Sequence, residues 1–196
     1  TQNPYESNIL WLVASWAWNR VPVDLLQHKK VVATVHHLDL EKFDENAKKS
    51  FFFRDQFVDF YHVPCKLTAD QISPYTEKPI WVQPFWVNQN VWHRIESKNL
   101  RADVGLSNDK FLIGSFQRDT EGHDLVSPKL SKGPDIFCDV VEQMHEKNKD
   151  VEVVLAGWRR QYVINRLKIK KINYHYFEWA DFDLLNKLYN CLDLYL

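Results

Sequence analysis

The chain is sparing with glycine and cysteine, and both shortages narrow its chemistry. All five glycines (Gly105, Gly114, Gly122, Gly133 and Gly157) fall in the second half. No GxGxxG and no GxxxxGK(S/T) occurs, so neither glycine-rich phosphate cradle is present. The GxSxG nucleophile elbow is missing as well. The three cysteines, Cys65, Cys138 and Cys191, are far apart and odd in number, with no CxxC. That suggests neither a disulfide framework nor a structural zinc site, and it suits a reducing compartment. The formal net charge of −1 gives no basic surface on which to expect nucleic acid. Long apolar runs are also lacking. Ile9 to Trp18 is interrupted by Ser15 and is too short to span a bilayer, and no signal-peptide pattern stands at Thr1. A cytoplasmic protein is the expectation.

Aromatic and aliphatic residues are plentiful. Hydrophobic residues make up 45% of the 196, enough for one large domain or two small ones. Six of the eight tryptophans precede residue 93, whereas the glycines all follow residue 100. This shift predicts two units joined within the charged stretch Glu96–Asp109, hence residues 1–95 and 96–196.

Short apolar or β-branched runs predict strands at Ile9–Ala14, Lys30–His36, Phe57–Val63, Pro79–Gln83, Phe111–Ser115, Val151–Ala156, Ile172–Phe177 and Leu192–Leu196. Between them, helices are predicted at Trp16–Gln27 (bent or split by Pro22), Glu41–Arg54, Lys66–Ser73, from Pro134, at Tyr162–Leu167, and after Asp181. Ile136, Phe137, Val140, Val141 and Met144 form one helical stripe, and Leu184, Leu185, Leu188, Tyr189 and Leu192 another. Alternating strands and helices imply parallel sheets with right-handed crossovers, an α/β fold of two Rossmann-like units. In such sheets ligands bind beyond the carboxyl ends of the strands. His36, Ser115, Gly157 and Phe177 fall at such ends.

The stretch Lys110–Asp135 concentrates the chemistry. A strand passes through Ser115 into a polar loop holding Arg118, and the loop closes on Ser131-Lys132-Gly133-Pro134 before a helix. A helix N-terminus attracts anions, and two fixed cations beside it suit a phosphate or diphosphate. Solvated surface cations are the plain alternative. Arg159 and Arg160 follow Gly157 and would either add positive potential or lie solvated on a helix. Phe177-Glu178-Trp179 suits packing against a nucleobase, or simply a core. His36 and His37 end a strand, where one histidine can meet a substrate hydroxyl. Adjacent strand residues point to opposite faces, so the pair is poorly placed to share a metal ion. Phe51-Phe52-Phe53, beside Lys48, Lys49 and Arg54, reads either as a buried helix face or as a peripheral membrane contact. The tryptophans suit stacking on sugars in a non-catalytic carbohydrate-binding or interaction module, if they are exposed together.

In their order, these features resemble the family 4 glycosyltransferases of the GT-B fold, in which two Rossmann-like domains face each other across a cleft. VVATVHHLD (Val31–Asp39) is similar to that family's strand ending in an acceptor-side histidine, here His36. IWVQPFWVNQNVW (Ile80–Trp92) is similar to its interdomain segment, with Phe85-Trp86-Val87-Asn88 in place of Asn-Gly-Val-Asp. FLIGSFQR followed by SKGPDIF resembles its donor motif, whose arginine and lysine match Arg118 and Lys132; Asp119–Ser131 intervenes as a loop insertion. VEVVLAGW matches the next strand and its glycine, Gly157.

The resemblance implies transfer of a sugar from a nucleotide diphosphate sugar to a hydroxyl of a glycan or other acceptor. It also implies retained configuration and no metal or other cofactor. Ser115 and Gly133 then join the diphosphate site, Gly157, Phe177 and Glu178 the nucleotide side, and His36 is catalytic. The family's N-terminal glycine-rich loop and its E-x7-E motif are not in this sequence, which corresponds to the middle of a typical member. Most tryptophans are then expected to be buried.

Overall fold

The computed structural model describes residues 3–121 and 124–196; Gly122 and His123, inside the predicted loop insertion, lie outside them. The first half runs β1 (Ile9–Leu12), a 3-10 turn (Ser15–Arg20), α1 (Val23–His28), β2 (Lys30–Thr34), α2 (Glu45–Asp55), β3 (Phe60–Val63), α3 (Lys66–Ile72) and β4 (Ile80–Val82). The second runs α4 (Leu100–Asp103), β5 (Phe111–Ser115), a 3-10 turn (Leu130–Lys132), α5 (Pro134–Lys147), β6 (Val151–Ala156), α6 (Gln161–Lys170), β7 (Tyr174–Phe177), α7 (Phe182–Cys191) and β8 (Leu194–Tyr195). Pro22 splits the predicted helix and sits at the N-cap of α1. Asp44 caps α2 by accepting from the Asn46 and Ala47 N–H groups. Asp181 caps α7 through the Leu184 N–H at 2.8 Å.

The chain divides into two compact units, Thr1–Trp86 and Val87–Leu196. The predicted division after residue 95 therefore falls inside the second unit. The reason is local. On α7, Asn190 accepts from the Ile95 N–H at 2.9 Å and donates to the His93 carbonyl at 3.0 Å, while Asn186 accepts from the His93 N–H at 3.3 Å. Arg101 then clamps the following segment: Nε reaches the Cys191 carbonyl at 2.8 Å, Nη1 the Lys110 carbonyl at 3.1 Å, and Nη2 pairs with Asp193 at 2.9 Å.

The first unit is a four-stranded parallel sheet whose spatial order, β1-β2-β3-β4, follows the sequence. Right-handed crossovers between successive neighbours place every connection on the same face. That face holds the core: Leu10, Leu12, Val31, Ala33, Tyr61 and Val63 pack under Trp18, Leu25, Leu26 and Ile72, with Phe51 partly buried against them. Among the described residues, no helix of this unit packs on the opposite face. Ile9, Trp11, Val13 and Trp81 stand exposed there, over the buried Thr34 and His62. Those two polar side chains are satisfied in a relay. The Trp11 indole donates to the Thr34 hydroxyl at 2.9 Å, which lies 3.1 Å from His62 Nδ1, and His62 Nε2 donates to the Gln83 carbonyl at 2.8 Å.

The second unit's parallel sheet has the order β7-β6-β5-β8. Crossovers through α5 and α6 step one way, and the α7 crossover returns past the start. Both faces are therefore covered. Ile113, Val153 and Leu155 pack with α5 and α6, while Leu112, Val154 and Ala156 pack with α4 and α7. β6 is buried along its whole length. Each large aliphatic side chain so buried contributes about 1.5–3 kcal/mol. In the predicted α5 stripe, Ile136 is exposed and Cys138 buried instead. The change of direction between β5 and β8 is the topological switch point, where open α/β sheets bind ligands at the carboxyl ends.

Candidate anion-binding site

Ser115 is buried at the carboxyl end of β5, at the switch point. The chain beyond it carries Gln117 and the exposed Arg118. The loop insertion then folds back on itself. Glu121 N–H donates to the Ser127 carbonyl at 2.8 Å, and Lys129 N–H to the Asp119 carbonyl at 2.8 Å. Thr120 and Pro128 form an antiparallel bridge. The ends of the insertion are thus neighbours, and Lys132 returns beside Arg118. The Gln117 amide donates to the Lys132 carbonyl at 3.2 Å. Gly133, in the left-handed region at φ 61°, turns the chain from the 3-10 turn into α5, and Pro134 follows at the first helical position. A side chain at Gly133 would be strained at that φ.

Ser115, Gln117, Arg118, Lys132 and Pro134 line a single small depression. Its ligand-attracting parts are two exposed cations and the N-terminal end of a 14-residue helix. Asp135 in the first turn already offsets part of the helix field, so the two side chains carry most of the attraction for an anion.

Below them lie Asp119 and Arg160, each 1% exposed and also lining the depression. Asp119 Oδ2 accepts from the Val163 N–H at 3.1 Å, capping α6 from the loop after the neighbouring strand. The Arg160 Nε is 3.9 Å from the same oxygen, too far for a hydrogen bond. Burial pushes the Asp119 carboxyl above the ordinary carboxylate range, with Arg160 as the chief opposing influence. Burial likewise lowers Arg160, with Asp119 opposing. Sequence reasoning left Arg159 and Arg160 open between cleft cations and solvated charges; both are buried. Arg159 has a left-handed φ of 66° and lies 4.8 Å over the Trp158 ring. Asp119 escaped the sequence reading because nothing local marks it; its partner is 41 positions away along the chain, at Arg160.

Gly157, at φ 88°, ends β6 and donates its N–H to the Phe177 carbonyl at 3.0 Å. Phe177 is half-buried against the α7-side core, and Glu178 is exposed. Neither lines the depression. In the first unit, His36 is exposed just beyond β2. Its Nε2 donates to the Val13 carbonyl at 2.7 Å, and its ring stacks on Phe85 at 5.1 Å. A carbonyl can only accept, so in the neutral ring Nδ1 is the free acceptor. His36 and His37 border a cavity of about 580 Å³ with Thr34, Ser50, Phe51 and Arg54. Among the described residues no cluster of histidine, cysteine, aspartate or glutamate is placed to hold a metal ion. No helix among them is long and apolar enough to cross a membrane.

Two aromatic expectations are corrected. Trp11, Trp81, Trp86, Trp158 and Trp179 are exposed rather than buried. Trp11 and Trp81 are so because their sheet is wound on one side only, and the other three lie outside the strands and helices. In α2, Phe51 stacks on Tyr61 at 5.6 Å, whereas Phe52 and Phe53 stand about half exposed.

No family model matches the sequence, and no curated protein matches it. Solved structures do match. Sucrose-phosphate synthase from Thermosynechococcus elongatus has a TM-score of 0.68 at 12% identity, over 97% of this chain and 50% of that one. HepE from Anabaena, solved in complex with UDP and glucose, has a TM-score of 0.69 at 12% identity, over 97% and 52%. A glycosyltransferase from Rickettsia africae has a TM-score of 0.66 at 13% identity, over 97% and 51%. The chain thus spans about half the length of these structures. Its two units have the α/β architecture of the Rossmann-like halves of GT-B glycosyltransferases.

Proposed function

We propose that this chain belongs to a family 4-like glycosyltransferase that moves a sugar from a nucleotide diphosphate sugar to an acceptor hydroxyl, with retention and without a metal. The observation that carries the reading is the convergence of Ser115, Arg118 and Lys132 on one depression at the switch point, despite the insertion between the two cations. As the glycosidic bond breaks, negative charge grows on the leaving diphosphate. Fixed cations and a helix end stabilise that charge without reorganising. Gly133 and Pro134 set the direction of α5 toward it. Gly157, Phe177 and Glu178, at neighbouring strand ends, are assigned to the nucleotide side. His36 is assigned to the acceptor side, where Nδ1 would accept from a sugar hydroxyl.

The test is donor hydrolysis and transfer with a panel of UDP-, GDP- and ADP-sugars, in the presence and absence of EDTA. Arg118→Ala and Lys132→Ala should each lower turnover at least about 100-fold, the scale of losing a charged transition-state contact. Unchanged turnover in both would remove the diphosphate assignment. Normal transfer by His36→Ala would remove the histidine from the mechanism.

A second reading is favoured by the exposed Trp11 and Trp81 on one sheet face: a carbohydrate-binding or interaction surface without catalysis. Glycan binding lost in Trp11→Ala and Trp81→Ala, with no donor hydrolysed by the parent, would favour it. The exposed Phe52 and Phe53 beside Lys49 and Arg54 suit a peripheral membrane contact, read by vesicle co-sedimentation of Phe52→Ser/Phe53→Ser.

A further inference from the structure

Among the described residues, the buried Arg160 stands apart in one respect. Its side chain is 1% exposed, yet Nε, Nη1 and Nη2 all lack a hydrogen-bond partner. A buried guanidinium with empty donors is costly, and proteins rarely leave one so. The nearest carboxylate does not relieve it, because Asp119 Oδ2 is 3.9 Å away and already accepts from the Val163 N–H. Close by, the Tyr176 hydroxyl and Asp119 Oδ1 are also buried without partners. Tyr176 and Asp119 both lie within electrostatic reach of Arg160.

Of these groups, Arg160 and Asp119 line the same depression as the exposed Arg118 and Lys132. The free space in the whole depression is about 10 Å³. That is the size of one oxygen-sized probe, too small for a phosphate, so a phosphate would sit over its mouth with one oxygen inside. The geometry therefore points to a division of labour: we propose that Arg160 is a third cation of the diphosphate site, receiving a single phosphate oxygen on its empty N–H groups while Arg118 and Lys132 hold the remainder at the rim. This rests on reading the depression as a diphosphate site, and it adds a residue to it. A planar fork with several donors suits an anion oxygen better than an ammonium does. A pocket admitting one oxygen also discriminates by shape. It takes a phosphate corner but not a methyl-capped or bulky anion.

The experiment is calorimetric titration of the full chain with inorganic pyrophosphate, comparing the parent with Arg118→Ala, Lys132→Ala, Arg160→Met and Arg160→Lys. The proposal expects Arg160→Met to weaken pyrophosphate at least about ten-fold, the loss of a charge-assisted hydrogen bond. Arg160→Lys should recover part of that loss, which a merely space-filling role would not allow. If Arg118→Ala and Lys132→Ala weaken binding but Arg160→Met binds as the parent does, the third-cation proposal is overturned and the diphosphate reading stands. If none of the variants differs from the parent, or the parent itself does not bind, both fall. Should Arg160→Met fail to fold by circular dichroism, Asp119→Asn/Arg160→Met removes both buried charges and carries the same readout.

Discussion

Truncating Asp119 to alanine should be among the most damaging single changes in the second unit, although Asp119 lies in a loop. Two contributions can be separated. Its Oδ2 caps α6 through the Val163 N–H, and losing such a cap costs about 1 kcal/mol. Its carboxylate is also the nearest counter-charge to Arg160, and both side chains are 1% exposed. Removing one partner of a buried pair costs about 3–5 kcal/mol, because the other charge stays behind uncompensated. The sum is about 4–6 kcal/mol, against a total of about 5–15 kcal/mol for a domain. A shift of that size lowers Tm by roughly 20 °C or more in a unit of this length. Urea and thermal unfolding followed by far-UV circular dichroism measure it directly.

The double variant Asp119→Asn/Arg160→Met should recover most of the loss, since replacing both charges of a buried pair is close to neutral. Arg160→Met alone leaves a buried carboxylate that burial already pushes upward. An acid whose folded-state pKa is raised holds its proton more tightly when folded, so the stability of this variant should fall as pH rises above the ordinary carboxylate range. A loss below about 1 kcal/mol for Asp119→Ala, or strict additivity of the single variants Asp119→Asn and Arg160→Met in their double variant, would refute the coupling.

Other expectations follow from the same structure. Cys65 is exposed and its thiol is lowered by the Thr68 hydroxyl, whereas burial pushes Cys138 up to about 12; a thiol reagent should therefore label the native chain first at Cys65, and Cys65→Ser should abolish the fast phase. The Asp59 carboxyl is lowered by Lys30 and the Val31 N–H. Its contribution is present at neutral pH and lost as pH falls through its folded-state pKa, below the ordinary carboxylate range, so Asp59→Asn should flatten the acid limb of the stability profile. Arg101→Met leaves the Cys191 and Lys110 carbonyls without their Arg101 donor and Asp193 without its counter-charge, although Asp193 keeps the Leu112 N–H. A loss of about 2–4 kcal/mol is expected from chemical denaturation, on the scale of unsatisfied buried groups.

Much of this architecture is legible from residue order alone. Short apolar runs such as Phe111–Ser115 and Val151–Ala156 have one reasonable backbone, and Asp181 announces its helix by type and position. The boundary between the units was less legible, because the asparagines that draw residues 93–95 into the second unit lie more than ninety positions downstream. The tryptophans misled for a different reason. Hydrophobicity says that Trp11 and Trp81 prefer cover, but only strand order says that no crossover of their own unit supplies it. At the candidate site, Arg118 and Lys132 are visible as cations near a helix start, and that both line one depression depends on the closure of the loop between them. Arg160 is ambiguous in sequence because burial of a guanidinium beneath a pocket has no local signature.

The loop that closes between Asp119 and Lys129 separates length from geometry. Its ends are pinned by backbone hydrogen bonds, so the residues beyond the pins can vary while Arg118 and Lys132 keep their places. Doubling such a loop adds only about 0.6 kcal/mol of closure entropy. The described residues 124–126, beyond the pins, are therefore a natural port in the scaffold. Grafted there, a recognition peptide or an environment-sensitive dye would sit one loop away from the candidate anion site and report on its occupancy without rebuilding it.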